Sequence, residues 1–114
     1  MPQRAGVARE LAEIFKVLAH PDRIRIVEEL RLAEADVRSL AARLGLTDTR
    51  ISQHLALMRA HRLVEERRDG RHHLYHLTQP DIAGWVTQGL RFLEGRQNGV
   101  TPEAIAFVRK AWSA

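Results

Sequence analysis

The chain of 114 residues contains no cysteine. That absence excludes a disulfide framework, a thiolate metal site and a thiol redox switch. Lysine is scarce as well: Lys16 and Lys110 are the only two, so arginine carries almost all of the positive charge. No apolar run approaches the length needed to cross a bilayer, and Met1-Pro2-Gln3-Arg4 is not followed by a signal-type apolar block. A cytoplasmic location is therefore expected. A phosphate-cradling glycine loop, a His-Glu-x-x-His helix and a Gly-x-Ser-x-Gly elbow are all missing. Ser39 and Ser52 fall in helical patterns with simpler explanations, so no catalysis is expected. There is no internal repeat or low-complexity tract.

What is present has the balance of one soluble globular domain, 45% hydrophobic and 28% charged, with a core small enough to gain from dimerisation. The net charge of +4 is unevenly spread. Residues 1–35 balance six basic against six acidic side chains, whereas residues 36–76 hold eight Arg against five acids and five of the six His. An excess placed there would neutralise phosphates and release counterions.

Val7, Leu11, Ile14, Phe15 and Leu18 recur at helical spacing and predict a first helix over residues 6–19. His20-Pro21 interrupts it: His20 helps to end that helix, and Pro21 opens a second bearing Ile24, Val27 and Leu30. Residues 32–37 read as a connection with room for a short strand around Val37. Leu40, Leu44 and Leu46 then line a short helix stopped by Gly45, and Thr47 is the expected N-cap of the next, with Asp48 in its first turn. Ile51, Leu55 and Met58 face inward from that helix, which leaves Asp48, Thr49, Arg50, Gln53 and His54 on its outer side. Two strands, 63–68 and 72–77, flank an Asp69-Gly70 turn. Ile82, Trp85, Val86, Leu90 and Leu93 predict a helix over 80–94, residues 96–99 a linker, and Thr101-Pro102 the start of a last helix. The fold expected is mainly α with a small β-hairpin: a helix-turn-helix with a wing, built to place one helix in the DNA major groove.

Thr49, Arg50 and Gln53 are the base-edge candidates, since Arg can bridge guanine O6 and N7 and Gln can read adenine. Thr47 and Ser52 carry hydroxyls suited to phosphate near a helix N-terminus, Arg71 at the wing tip should approach the adjacent minor groove or its backbone, and Arg38 and Arg68 are weaker backbone candidates. His72, His73 and His76 read as solvated or phosphate-facing rather than as metal ligands.

In Leu18-Ala19-His20-Pro21-Asp22-Arg23-Ile24-Arg25-Ile26-Val27, in Leu40 to Leu46 through Ser52-Gln53-His54-Leu55, and in Leu63-Val64 with Gly70 to Tyr75, the chain resembles the ArsR/SmtB family of winged-helix repressors over roughly residues 8–94. The resemblance implies a homodimeric repressor that binds an inverted-repeat operator in double-stranded DNA and leaves when a signal arrives. Pairing through the first and fifth helices would place Leu11, Ile14, Phe15, Ile82, Trp85, Val86, Gly89 and Leu93 at the subunit contact. Gly84 and Gly89 either permit close helix approach or are merely tolerated. Residues 1–95 would form the DNA-binding and dimerisation domain, with the linker and helix of 96–114 outside the resemblance. His54 resembles the family's recognition-helix histidine, with a phosphate-facing or helix-packing role. The family usually has Gly where this chain has Arg62, so that turn must accept a side chain, and Arg62 can reach for phosphate.

The family's metal sites find no counterpart. Asp36 and Arg38 stand where a Cys-Val-Cys pair would be. On the fifth helix Asp81 matches one ligand position, but Ala83, Glu94 and Gln97 occupy the other three. No metal and no cofactor is expected, and the effector, whether small molecule or protein, is left unidentified. Trp85 and Trp112, with Phe92 and Phe107, read as core or interface before pocket lining. A competing reading makes the chain a protein-interaction module whose C-terminal helix docks a partner.

Overall fold

The computed structural model describes residues 2–96 and 99–113. The chain forms two compact units, Met1–Gln79 and Pro80–Ala114. The family resemblance runs across that division.

In the first unit α1 spans Pro2–Leu18 and begins four residues before the expected start at residue 6. Gln3, Arg4 and Ala5 are good helix formers behind an N-terminal proline, so propensity extends the helix where burial gives no signal. His20 lies just past α1, its N–H on the Leu18 carbonyl at 2.8 Å, and also caps the next helix: its Nδ1 accepts the Asp22 backbone N–H at 3.1 Å, and Pro21 stands at the first position of α2, Pro21–Leu32. α3, Val37–Leu44, starts at Val37 rather than passing it as a strand. The reason is Asp36, whose carboxylate accepts the Ser39 N–H at 2.7 Å, a cap that also holds its carboxyl below the usual range. The strand-like contact falls instead on buried Ala35, which exchanges two backbone hydrogen bonds with Tyr75 at 3.1 and 2.8 Å.

α4, Asp48–Ala60, is capped by Thr47, whose hydroxyl accepts the Arg50 N–H at 3.1 Å. Both α3 and α4 end in a left-handed residue, Gly45 at φ 70° and Arg62 at φ 60°. The expected side chain in that second turn is thus accommodated. β1, Val64–Asp69, and β2, His72–Leu77, pair antiparallel from Val64↔Leu77 to Asp69↔His72. The two-residue loop is therefore Gly70-Arg71, with Gly70 supplying φ 64°, and Asp69 belongs to the ladder. Leu63 lies outside β1 because its N–H closes the end of α4 on the Met58 carbonyl.

Ile26, Leu40, Ile51, Leu55 and Met58 are fully buried and join α2, α3 and α4 into one core. Each such side chain removed from water contributes about 1.5–3 kcal/mol. Val7, Leu11 and Phe15, one turn apart along α1, stay exposed.

The second unit holds α5, Ile82–Gly89, which passes into a 3₁₀ turn at Leu90–Leu93, so the α-helix is shorter than the expected 80–94. Two glycines within eight residues weaken it, and the change comes at Gly89. A Cβ on Gly84 or Gly89 would meet nothing within 4 Å in the chain. Ile82, expected at the subunit contact, is buried within its own chain, while Trp85 is exposed. α6, Pro102–Ser113, is capped by Thr101, whose hydroxyl accepts the Ala104 N–H at 3.0 Å. Of the expected linker, Gln97 and Asn98 lie outside the described residues.

Candidate nucleic-acid interface

α4 shows one face to the core and the opposite face to solvent. Thr49, Arg50, Ser52 and Gln53 are all exposed. Thr47, Thr49, Arg50 and Gln53 come together, with Gly45 and Leu46, around a shallow depression of about 350 Å³. Arg38 stands apart on the first turn of α3, and Arg68 and Arg71 lie exposed on the hairpin. The arrangement sets hydroxyl, amide and guanidinium groups on a helix fixed at both ends, at its N-terminal end.

The wing is braced against this helix. Arg59, in the last turn of α4, donates to Glu66 Oε2 at 3.0 Å, and Glu66 also meets His73 Nδ1 and the Tyr75 hydroxyl. These bonds, led by that from His73, hold the Glu66 carboxyl below its usual range. Arg67 pairs with Glu34 ahead of α3 and lowers that carboxyl as well. His76 Nε2 lies 3.3 Å from Glu65. His73 is exposed, in keeping with the expected solvated or phosphate-facing place, and pairs with Glu66, whereas His76 is half-buried opposite Glu65.

His54 departs most from its expected place. It is 8% exposed, turned inward from α4 and held from both ring nitrogens. Arg23 Nη1 donates to Nδ1 at 3.2 Å, which leaves Nε2 as the protonated nitrogen, donating to Asp22 Oδ2 at 3.1 Å. Burial first, and the charges of His20 and Arg23 after it, hold the imidazole below its ordinary pKa against the opposing bond to Asp22. Arg23 also donates Nε to the Val17 carbonyl at the end of α1. His54 is therefore a packing residue between α2 and α4, and the outer face of α4 lacks it. The physical reason is its register beside Ile51, Leu55 and Met58, where the amino terminus of α2 supplies partners.

Among the described residues, His20, Asp22 and His54 form the one set of three metal-type donors that converges, with ligand atoms within 4.8 Å of one another. The fit to a cation is poor. His20 Nδ1 is committed to the α2 cap and His54 Nδ1 to Arg23, His54 Nε2 carries a proton, and Arg50 Nε stands 4.0 Å from the same carboxylate. Asp22 and Arg23 went unrecognised as site residues. Their only sequence signal was membership of the Leu18-to-Val27 block.

A short helix, a left-handed turn, a polar-fronted second helix and a braced two-stranded hairpin define a winged helix-turn-helix protein. The family profile described as bacterial regulatory protein, arsR family, matches residues 20–66. The chain is 44% identical over 73 residues to the uncharacterized HTH-type transcriptional regulator Rv0081 of Mycobacterium tuberculosis, covering 63% of this chain and 64% of that protein. It thus spans slightly less than two thirds of that relative. With the biofilm growth-associated repressor of Xylella fastidiosa it shares 34% identity over 79 residues, 69% of each chain. The crystal structure of NolR from Sinorhizobium fredii superposes with a TM-score of 0.72 at 30% identity, covering 83% of this chain and 94% of that one. The chain belongs to the ArsR family of bacterial regulatory proteins. Among the described residues, no helix is long and apolar enough to cross a membrane.

Proposed function

We propose that the chain is a sequence-specific DNA-binding repressor that acts as a homodimer on an inverted-repeat operator in the cytoplasm. The observation that carries this reading is the exposed front of α4, where Thr49, Arg50 and Gln53 surround one depression on a helix pinned at both ends. Thr49, Arg50 and Gln53 read base edges, Thr47 and Ser52 take phosphate, Arg71 approaches the adjacent minor groove or its backbone, and Arg38 and Arg68 contact the backbone. Residues 1–95 form the DNA-binding and dimerisation domain. The exposed Val7, Leu11 and Phe15 of α1, and separately Trp85 of α5, support dimerisation, because burying exposed apolar side chains against a second copy is favourable. The name of the Xylella fastidiosa relative supports repression. The family's metal sites are lost: Asp36 is spent as a helix cap and Arg38 repels cations, so release follows a different signal.

The test is selection of duplexes from a random pool by the wild-type chain and by Arg50→Ala/Gln53→Ala. The wild type should recover one short inverted repeat, and the variant should bind without discrimination. Equal selectivity would sink the reading. That result would favour the interaction-module alternative, for which the exposed Phe107 of α6 is the relevant observation.

A further inference from the structure

We propose that Asp22, on α2 and outside the helix-turn-helix, is a positioning residue that sets which edge of Arg50 is offered to the DNA. The inference rests on the reading of Arg50 as a base-contacting residue. Asp22 Oδ2 lies 3.1 Å from His54 Nε2 and 4.0 Å from Arg50 Nε, so one carboxylate oxygen serves both the buried and the exposed side of α4. Residues 50 and 54 lie one turn apart, which is why a single group can reach both.

The carboxylate is itself held in place. His54 donates to it, Arg23 donates to His54 at 3.2 Å, and Arg23 also donates to the Val17 carbonyl. A chain of contacts thus runs from the end of α1 through the base of α2 to the outer face of the recognition helix.

The chemistry follows from the shape of the guanidinium. A carboxylate on the Nε side occupies one edge of the plane and leaves the Nη1–Nη2 edge, with two parallel N–H groups, free for guanine O6 and N7. A pre-aimed Arg also loses less rotamer freedom when it binds. The Arg50 side chain is 61% exposed, and an ion pair so open contributes little to folding. Its effect should appear in base discrimination rather than in stability.

The experiment is a double-mutant cycle on operator duplexes substituted one base pair at a time, using wild type, Asp22→Asn, Arg50→Ala and the double variant. Asparagine keeps an oxygen to accept the His54 N–H but removes the charge. Arg50→Ala should lower the preference at one base pair about 5–150-fold. Asp22→Asn should lower the preference at that same pair by about three- to tenfold, part of that loss. Other positions, nonspecific affinity and thermal midpoint should stay near wild type, and Asp22→Asn should change nothing further in the Arg50→Ala background. A uniform loss at every position, an undiminished effect without Arg50, or no effect at all would overturn the proposal. If Arg50→Ala itself left every preference intact, the base-reading role of Arg50 would be what failed. Should the Asn variant not fold, Asp22→Ser runs the same cycle, and failure of both to fold would make Asp22 a structural residue and end the proposal.

Discussion

Replacing Arg62 with glycine should make this protein more stable, although it deletes a charged side chain and adds no contact. Arg62 sits at φ 60°, where a Cβ crowds the backbone. It is held there by the end of α4: its N–H bonds to the Arg59 carbonyl and that of Leu63 to the Met58 carbonyl, both at 2.9 Å. This is the Schellman pattern, completed by burial of Leu63 and Met58. A left-handed non-glycine residue costs about 1–2 kcal/mol, and glycine returns about 0.4–1 kcal/mol of that through the freer unfolded chain. The net gain should be about 0.5–1 kcal/mol, or a rise of about 2–6 °C in midpoint for a domain of this size. α3 supplies the internal control. Gly45, at φ 70°, ends it with the Leu46 N–H on the Ala41 carbonyl at 3.0 Å, and a Cβ there would meet nothing within 4 Å. Gly45→Ala should therefore cost about 1 kcal/mol by conformation alone. Thermal melts and urea titrations at one fixed protein concentration measure both. An Arg62→Gly variant no more stable than wild type would refute the reasoning, and a neutral Gly45→Ala would extend the failure to both helix ends.

Leu55→Ala, at a fully buried site, should cost about 2–5 kcal/mol, read as a lower urea midpoint with an unchanged slope; a loss under 1 kcal/mol would mean the core joining α2, α3 and α4 is not close-packed. His54 gives stability a pH dependence of definite sign. Its folded pKa lies below its ordinary 6.5, so the unfolded chain takes up the proton first. Its contribution is present above about pH 6.5 and is lost as pH falls from there through the folded value. Urea midpoints between pH 7.5 and 5 should decline in the wild type and decline less in His54→Gln; parallel curves would contradict the burial of a neutral imidazole. Operator affinity should fall steeply and linearly with log salt, and Arg71→Ala should reduce the slope by about one, as filter binding or fluorescence anisotropy would show. A salt-independent affinity would remove the phosphate contacts from the account.

Much of the fold could be read from short-range pattern. The caps at Thr47 and Thr101, the stop at Gly45, the inward row Ile51, Leu55 and Met58, and the second strand 72–77 depend on residues within one or two turns of each other, and each is where expected. The departures share a cause. Asp36 starts α3 because its carboxylate outcompetes an extended backbone, Gly89 lets α5 tighten into a 3₁₀ turn, and Asp69 joins the ladder because the register leaves only Gly70-Arg71 for the loop. At Asp36 and Asp69 a local alternative was settled by one hydrogen bond or one φ angle, the Ser39 N–H on Asp36 and the left-handed Gly70.

The front of the candidate site was legible because exposure on a helix follows from periodicity: with Ile51 and Leu55 inward, Thr49, Arg50 and Gln53 must face out. The support beneath it was not. His54 and Asp22 are 32 residues apart in sequence, as Glu34 and Arg67 are 33 apart, and no repeat or motif joins either pair. Periodicity records which side of a helix meets water, and that much the chain carries by itself. Which neighbour fills the other side depends on how α2, α4 and the hairpin close around one core, because hydrogen bonds and ion pairs act over a few ångströms and form only after packing has brought distant residues together.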